Sequence, residues 1–204
     1  EGIVISDVKN ALVENNTIQY NNWTGLGLFT SEDVDLHNNV SNYNGGAGMT
    51  LWKLHRINVS HNETSYNNWR GHMGGFDDWS VAGIKSMRMR DSVYSEHLAV
   101  GNYARGIWFD YDNKNITVTD SIACENHHDG IFLEVSPGPI EIKDSVICDN
   151  EQAGVFIGNS ENIKLESNML YGNDIGQVTT SKTVSRGIVD TYNGTSSTLF
   201  NQRL

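Results

Sequence analysis

Positive charge is scarce in this chain. Fourteen Lys and Arg stand against 25 Asp and Glu, for a net charge of −11. Without a cationic surface to displace counterions, a nucleic-acid partner is not expected. The same balance disfavours polyanionic substrates unless a local basic pocket exists. Proline is nearly missing, with two residues, and charged residues reach only 19%, which excludes a charge-rich disordered chain. No apolar run approaches the ~18 residues of a membrane span. Two cysteines with no ligand cluster near them leave no expected metal site. No signal peptide is recognisable and Glu1 falls inside an apparent strand, so a mature or excised piece of a longer protein is expected.

Asn and Gly fill the space these absences leave, and they recur. Glycines at 2, 25, 48, 71, 106, 130 and 154 are separated by 23, 23, 23, 35, 24 and 24 residues. Each of most of them opens a short apolar segment, such as Gly106-Ile-Trp-Phe109 and Gly130-Ile-Phe-Leu133. A second alternating segment follows, as in Val34 to Leu36 or Ile140 to Ile142. A small polar residue comes next (Asn16, Asn39, Asn62, Ser92, Ser121, Ser145, Asn168), and then an Asn four residues before the next glycine (Asn21, Asn44, Asn67, Asn102, Asn126, Asn150, with Asn173 continuing). Alternation of period two means strand, and no run is long enough for a helix. Short strands repeating about every 23 residues suit the coils of a parallel β-helix, where no coil buries its own inner face but stacked coils share one core. Asn suits a tight left-handed turn, and its amide can bond the same amide in the coils above and below. A leucine-rich repeat lacks its leucine spacing and helical segment here, and a flat sandwich would not keep so constant a period.

The expected architecture is therefore all-β, a solenoid of about seven to eight coils in one domain, 1–204, with coils over 1–178 and a capping segment over 179–204. The 35-residue step places insertions in the fourth coil, one around Phe76–Lys85 and one within Tyr94–Val100. Tyr20, Tyr43 and Tyr66 share a register and should stack. Cys124 and Cys148 share another and are expected about 5 Å apart, close enough for either a disulfide or a reduced pair.

The repeat resembles the right-handed parallel β-helix superfamily of pectate-lyase-like proteins, including the Asn- and Gly-rich repeats of carbohydrate-active members. That resemblance implies a right-handed coil, a polysaccharide or glycan partner, and an extracellular or cell-surface location. It is specific for fold and says little about reaction, and the sequence says nothing about oligomeric state.

Alternation places Trp108, Phe132 and Phe156 outward in one column, and Trp52, Asp110 and Glu134 outward in the next. Asp110 and Glu134 are expected about 5 Å apart on a solvent-facing sheet, where one pKa would rise. Asp112, two residues on, is expected about 8 Å from Glu134 if the strand continues, which is the spacing of an inverting glycosidase pair. The candidate catalytic set is Asp110, Asp112 and Glu134. The candidate substrate-binding set is Trp108, Phe132, Trp52, His127, His128, Arg105, Asp78, Trp79 and Lys85, the last three from the insertion. Lys85, Arg88 and Arg90 cluster in sequence, and His72 is a candidate buried imidazole. The plainer reading makes these acids solvated strand positions and these cations a solvated face. The first functional expectation is a glycoside hydrolase without cofactor. The alternative is a polysaccharide lyase or epimerase, in which the acids hold Ca2+ or neutralise a uronate and a Lys or Arg takes the proton. The third is a non-catalytic glycan-binding or structural β-helix.

Overall fold

The structure is a computed structural model that describes residues 1–71 and 81–181. Its strands run coil by coil. The first coil holds β1 (Ile3–Ser6) and β2 (Lys9–Glu14), the second β3 (Leu26–Phe29) and β4 (Glu32–His37), and the third the bent β5 (Met49–Ser60). The fourth holds β6 (Ala82–Ser95) and β7 (Leu98–Val100), and the fifth β8 (Arg105–Phe109), β9 (Lys114–Thr119) and β10 (Ile122–Cys124). The sixth holds β11 (Ile131–Glu134), β12 (Ile140–Lys143) and β13 (Val146–Cys148). The seventh holds β14 (Ala153–Gly158), β15 (Ile163–Glu166) and β16 (Met169–Tyr171), and β17 (Gly176–Ser181) opens an eighth. Every pairing between coils is parallel, in the order β1-β3-β5-β6-β8-β11-β14-β17 along the first face. Among the described residues there is no helix. The chain is a parallel β-helix, as its period predicts.

The period-two pattern has the expected cause. Leu26 and Leu28, Met49 and Leu51, Ile107 and Phe109, and Ile131 and Leu133 alternate into one continuous core and are fully buried. Each coil turns its corners in the left-handed region. One corner column is Tyr20, Tyr43, Tyr66, Gly101, Glu125, Asp149 and Gly172, all with φ between 52° and 67°. Tyr20, Tyr43 and Tyr66 do stack, with centroids 5.4 and 5.2 Å apart.

The Asn column stands one residue after that corner, outside the left-handed region, and its role is hydrogen bonding. The backbone N–H and the side-chain amide of each Asn both donate to Oδ1 of the next, from Asn21 through Asn44, Asn67, Asn102, Asn126 and Asn150 to Asn173. A buried corner leaves backbone groups that water cannot reach, and the ladder supplies partners for them.

Three details of the repeat differ from the expectation. The long step lies between Gly48 and Gly83, because Gly83 takes the register that period counting gives to Gly71. A Cβ on Gly83 would stand 2.6 Å from the Gly106 carbonyl oxygen, as one on Gly106 would from that of Gly130, whereas one on Gly71 would meet nothing. Counting selects Gly71 because it adds a third equal step of 23; only the pairing of Ile84 with Met49 and Ile107 reveals the shift. The second insertion does not exist, since β7 pairs in register with β10. The small polar column passes through His97 and not Ser92: the His97 N–H donates to Ser121 Oγ as that of Ser121 does to Ser145 Oγ.

His97 is buried, with Nε2 2.8 Å from Thr64 Oγ1, and burial lowers its pKa to about 4. The folded state holds it neutral while the unfolded chain takes up a proton below about pH 6.5, so stability falls as pH drops from 6.5 towards 4. The loss is about 3 kcal/mol over that window. His97→Asn, which continues the column of Asn39 and Asn62, removes this part of the pH dependence. Urea unfolding of both proteins at pH 7 and pH 4.5 measures it.

Cys124 and Cys148 form a disulfide between adjacent coils, with Cα atoms 4.5 Å apart, which decides between the two states left open above. It closes a loop of 24 residues. Reduction is expected to cost about 3 kcal/mol, seen as a lower urea midpoint with reductant and no change in a Cys124→Ser, Cys148→Ser double variant.

Candidate active site

Two outward columns of the first face carry the candidate residues. Register places Val4, Gly27, Thr50, Lys85, Trp108, Phe132 and Phe156 in one column. The next holds Ser6, Phe29, Trp52 and Met87, and continues through Asp110 to Glu134 and Gly158. The side chains point out of the core as alternation requires. The shift to Gly83 puts Lys85 and Met87 where counting from Gly71 would place Met73 and Gly75.

The outer face at these coils is not solvated. Lys85, Asp110 and Asp112 are fully buried, and Trp108, Phe132 and Glu134 are 6%, 4% and 7% exposed. Period and register decide which face a side chain leaves from; they do not say whether that face is covered. Trp108, Phe132 and Phe156 stack at 5.6 and 4.9 Å. The Arg105 guanidinium lies over Trp108 and Phe132 at 4.6 and 4.8 Å, and 3.5 Å from Asp129 Oδ2. Burial raises the Asp129 pKa against the pull of Arg105.

At the centre is an acid–base group. Lys85 Nζ sits 3.5 Å from the Trp108 ring centroid and 3.1 Å from Asp110 Oδ2. Trp108 Nε1–H donates to Glu134 Oε2 at 3.2 Å. Burial pulls the Lys85 pKa down to about 8, and the Asp110 carboxylate keeps it from falling further. A lysine held near neutrality by a desolvated site can exchange a proton at physiological pH.

Asp112 does not join this centre. Its expected place required the strand to continue, but β8 ends at Phe109 and Asp112 sits at a left-handed corner with φ 61°. Its carboxylate is 2.5 Å from Arg90 Nη2 and 3.8 Å from Arg88 Nε, so the Asp112–Glu134 diagonal is not made as a free acid pair. His127 is exposed, against Tyr103 at 4.7 Å and Glu151 at 3.4 Å, and His128 is half-buried in the same turn. Asp78, Trp79 and His72 lie outside the described residues. Among the described residues no three His, Cys, Asp or Glu groups converge to hold a metal. Asp110 faces an amine and Glu134 accepts an indole N–H, which does not fit the oxygen cage that Ca2+ requires.

The early coils of the same face hold an open cleft of about 410 Å3, lined by Trp23, Thr24, Phe29, Thr50, Trp52 and Met87. Glu1 also lines it. Of the residues named from sequence, Trp52 falls here, two coils before Asp110.

The sequence profile of the Beta_helix family, described as "Right handed beta helix region", matches residues 1–185. Among curated proteins none matches the chain in sequence. Solved structures do match in fold. The periplasmic alginate epimerase AlgG superposes with a TM-score of 0.67 at 20% identity, over 81% of this chain and 38% of that one. The A-module of the Azotobacter vinelandii mannuronan C-5 epimerase AlgE4 gives 0.57 at 16% identity, over 74% and 44%. Pectate lyase Pel9A gives 0.55 at 14% identity, over 72% and 42%. The chain thus spans less than half the length of each of these proteins.

Proposed function

The chain belongs to the right-handed β-helix family, and from that premise we propose that its outer face carries the acid–base centre of a polysaccharide lyase or epimerase acting on a uronate unit. The observation that carries this reading is Lys85: an amine with a pKa of about 8, held between the Trp108 ring and the Asp110 carboxylate beside a guanidinium. The epimerases and the lyase of like fold act on alginate, mannuronan and pectate by their names, and the same substrate class is assigned to this chain. An extracellular or periplasmic location accompanies it.

The chemistry divides among the residues as follows. Arg105 pairs with the uronate carboxylate, which stabilises the negative charge that develops when C5 loses its proton. Neutral Lys85 takes that proton, and Asp110 stabilises the ammonium formed. In elimination the C5 electron pair forms the C4–C5 double bond, the C4–O4 bond breaks and the leaving oxygen takes up a proton. In epimerisation a proton returns to C5 from the opposite side of the ring. Because Lys85 and Asp110 are buried, turnover requires the covered face above them to open. A hydrolase reading loses its support where Asp110 is held by the Lys85 amine and Asp112 by the Arg90 guanidinium.

Alginate and pectate in D2O test this. The expected result is deuterium at C5 if the enzyme is an epimerase, and absorbance from unsaturated uronate if it is a lyase. New reducing ends with neither unsaturation nor C5 exchange would instead establish hydrolysis.

A further inference from the structure

The third face of the solenoid lies apart from the acid–base centre. It is the four-stranded sheet of β7, β10, β13 and β16. Register gives it two outward columns: Leu98, Ile122, Val146 and Met169 in one, and Val100, Cys124, Cys148 and Tyr171 in the other. In the first three coils the second column holds Gln19, Asn42 and Ser65, as solvent-facing positions favour. From the fourth coil on it turns apolar. Ile122, Met169 and Tyr171 are 41%, 60% and 47% exposed, and Leu98, Val100 and Val146 are half-buried. Acids border this strip on both sides. Glu96, Asp120 and Asp144 stand at the left-handed corner before the sheet, and Glu125 and Asp149 at the corner after it, all exposed. Glu96 also meets His61 at 2.9 Å. The stretches 96–103, 120–127, 144–151 and 167–174 contain seven Asp and Glu and no Lys or Arg.

A contiguous exposed apolar strip on a sheet face marks a contact surface. Its backbone groups are already paired within the sheet, so a partner must offer side chains and not another strand. The columns repeat every ~4.8 Å along the solenoid axis, close to the ~5–6 Å between i and i+3 or i+4 on a helix. From Asp120 to Glu125, and from Asp144 to Asp149, is five residues, roughly 16 Å across the strip. One helix of ~10–12 Å diameter fits there, with a long side chain reaching each border. The four strands span about 14 Å along the axis, which matches about ten helical residues. The acids decide the charge of that helix. A second copy docked face to face would set acid against acid, and an anionic lipid surface is repelled in the same way. We infer that this face docks a basic amphipathic helix of a partner protein. Its apolar stripe lies along Ile122, Val146 and Met169, and its Lys or Arg residues meet the two acid columns. The inference does not rest on the uronate reading.

The test titrates the 204-residue chain into a fluorescently labelled helical peptide of about 14 residues, with Leu at every third or fourth position and Lys on both sides of that stripe. One control peptide scrambles this composition and another replaces Lys by Glu. The expected result is saturable binding, at least about tenfold weaker for both controls. Ile122→Ser with Met169→Ser weakens it about tenfold or more. Asp120→Asn with Asp144→Asn and Asp149→Asn does the same and flattens its salt dependence. Val93→Ser, which alters an equally exposed apolar residue of the second face, leaves binding unchanged. All these positions are exposed, so urea midpoints stay at the wild-type value and a loss of binding is not a loss of fold. No saturable binding, equal binding of the scrambled peptide, or undiminished binding by the Ile122→Ser, Met169→Ser variant overturns the inference. So does sedimentation that shows a wild-type dimer dissolved by the same two substitutions, since the occupant is then a second copy.

Discussion

Lys85→Met is expected to lower the rate of C5 proton exchange by about 10²- to 10⁴-fold, the usual contribution of a positioned base. The residue supplies the amine of the centre, 3.1 Å from Asp110 and fully buried. Its removal also leaves the Asp110 carboxylate in a buried site without that cation, which destabilises. The Lys85→Met, Asp110→Asn double variant separates the two effects: it restores stability and stays inactive. The pH profile gives a sharper result. Activity of the wild type rises with pH through about 8 as Lys85 loses its proton. In Asp110→Asn the neighbour that raises the Lys85 pKa is gone, so the rising limb moves to lower pH. A profile that does not move, or an active Lys85→Met, refutes Lys85 as the base.

The second large effect concerns stability. Asn126→Ala in the middle of the ladder is expected to cost about 4 kcal/mol. Asn126 Oδ1 accepts from the Asn102 backbone N–H at 3.1 Å and its side-chain amide at 2.9 Å, and Asn126 Nδ2 donates to Ala99 O at 3.0 Å and Asn150 Oδ1 at 2.9 Å. Truncation strands buried donors and acceptors on both neighbouring coils, each worth about 1–3 kcal/mol when left unpaired. Asn21→Ala, at the partly exposed first rung, is expected to cost about 1 kcal/mol, since Asn21 donates to Asn44 and Gln19 but accepts from no coil below among the described residues. Urea unfolding of the two variants checks this gradient. Equal losses at both positions would show that the ladder is not cooperative with the core. Because neighbouring coils stabilise one another, the Asn126 variant is also expected to unfold with a shallower transition.

The fold was legible because stacking imposes one requirement per coil. A glycine where an added Cβ would stand 2.6–2.8 Å from the next coil's carbonyl oxygen, an Asn one residue past each corner and alternating apolar residues all recur with the coil length. Such constraints are local in sequence and periodic, so spacing alone reports them. The closeness of Cys124 and Cys148 and the tyrosine stack follow from the same register, whereas the bond between the two sulfurs does not. The one misread coil is the irregular one: Gly71 imitates the period, and only the pairing of β6 with β5 and β8 shows that Gly83 holds the place.

The candidate site was half legible. Trp108, Phe132, Asp110 and Glu134 were identifiable as departures from the repeat, and alternation gave the face they leave from; Lys85 was identifiable only as a cation of the insertion. Their partnership was not, since Lys85 reaches the Trp108–Asp110 position only once the coil is shifted by 12 residues, the distance from Gly71 to Gly83. Nor could sequence reveal that the face is covered, because burial depends on what packs from elsewhere in the chain. Asp112 illustrates the limit. Its spacing from Asp110 is that of neighbours on one strand face, but a left-handed corner turns it towards Arg90. By itself the sequence determined the coil, its ladder and its columns, since these repeat a contact that every coil must make. Only the tertiary structure decided which acids and bases meet and which are desolvated, because those contacts occur once, across coils, with no period to announce them.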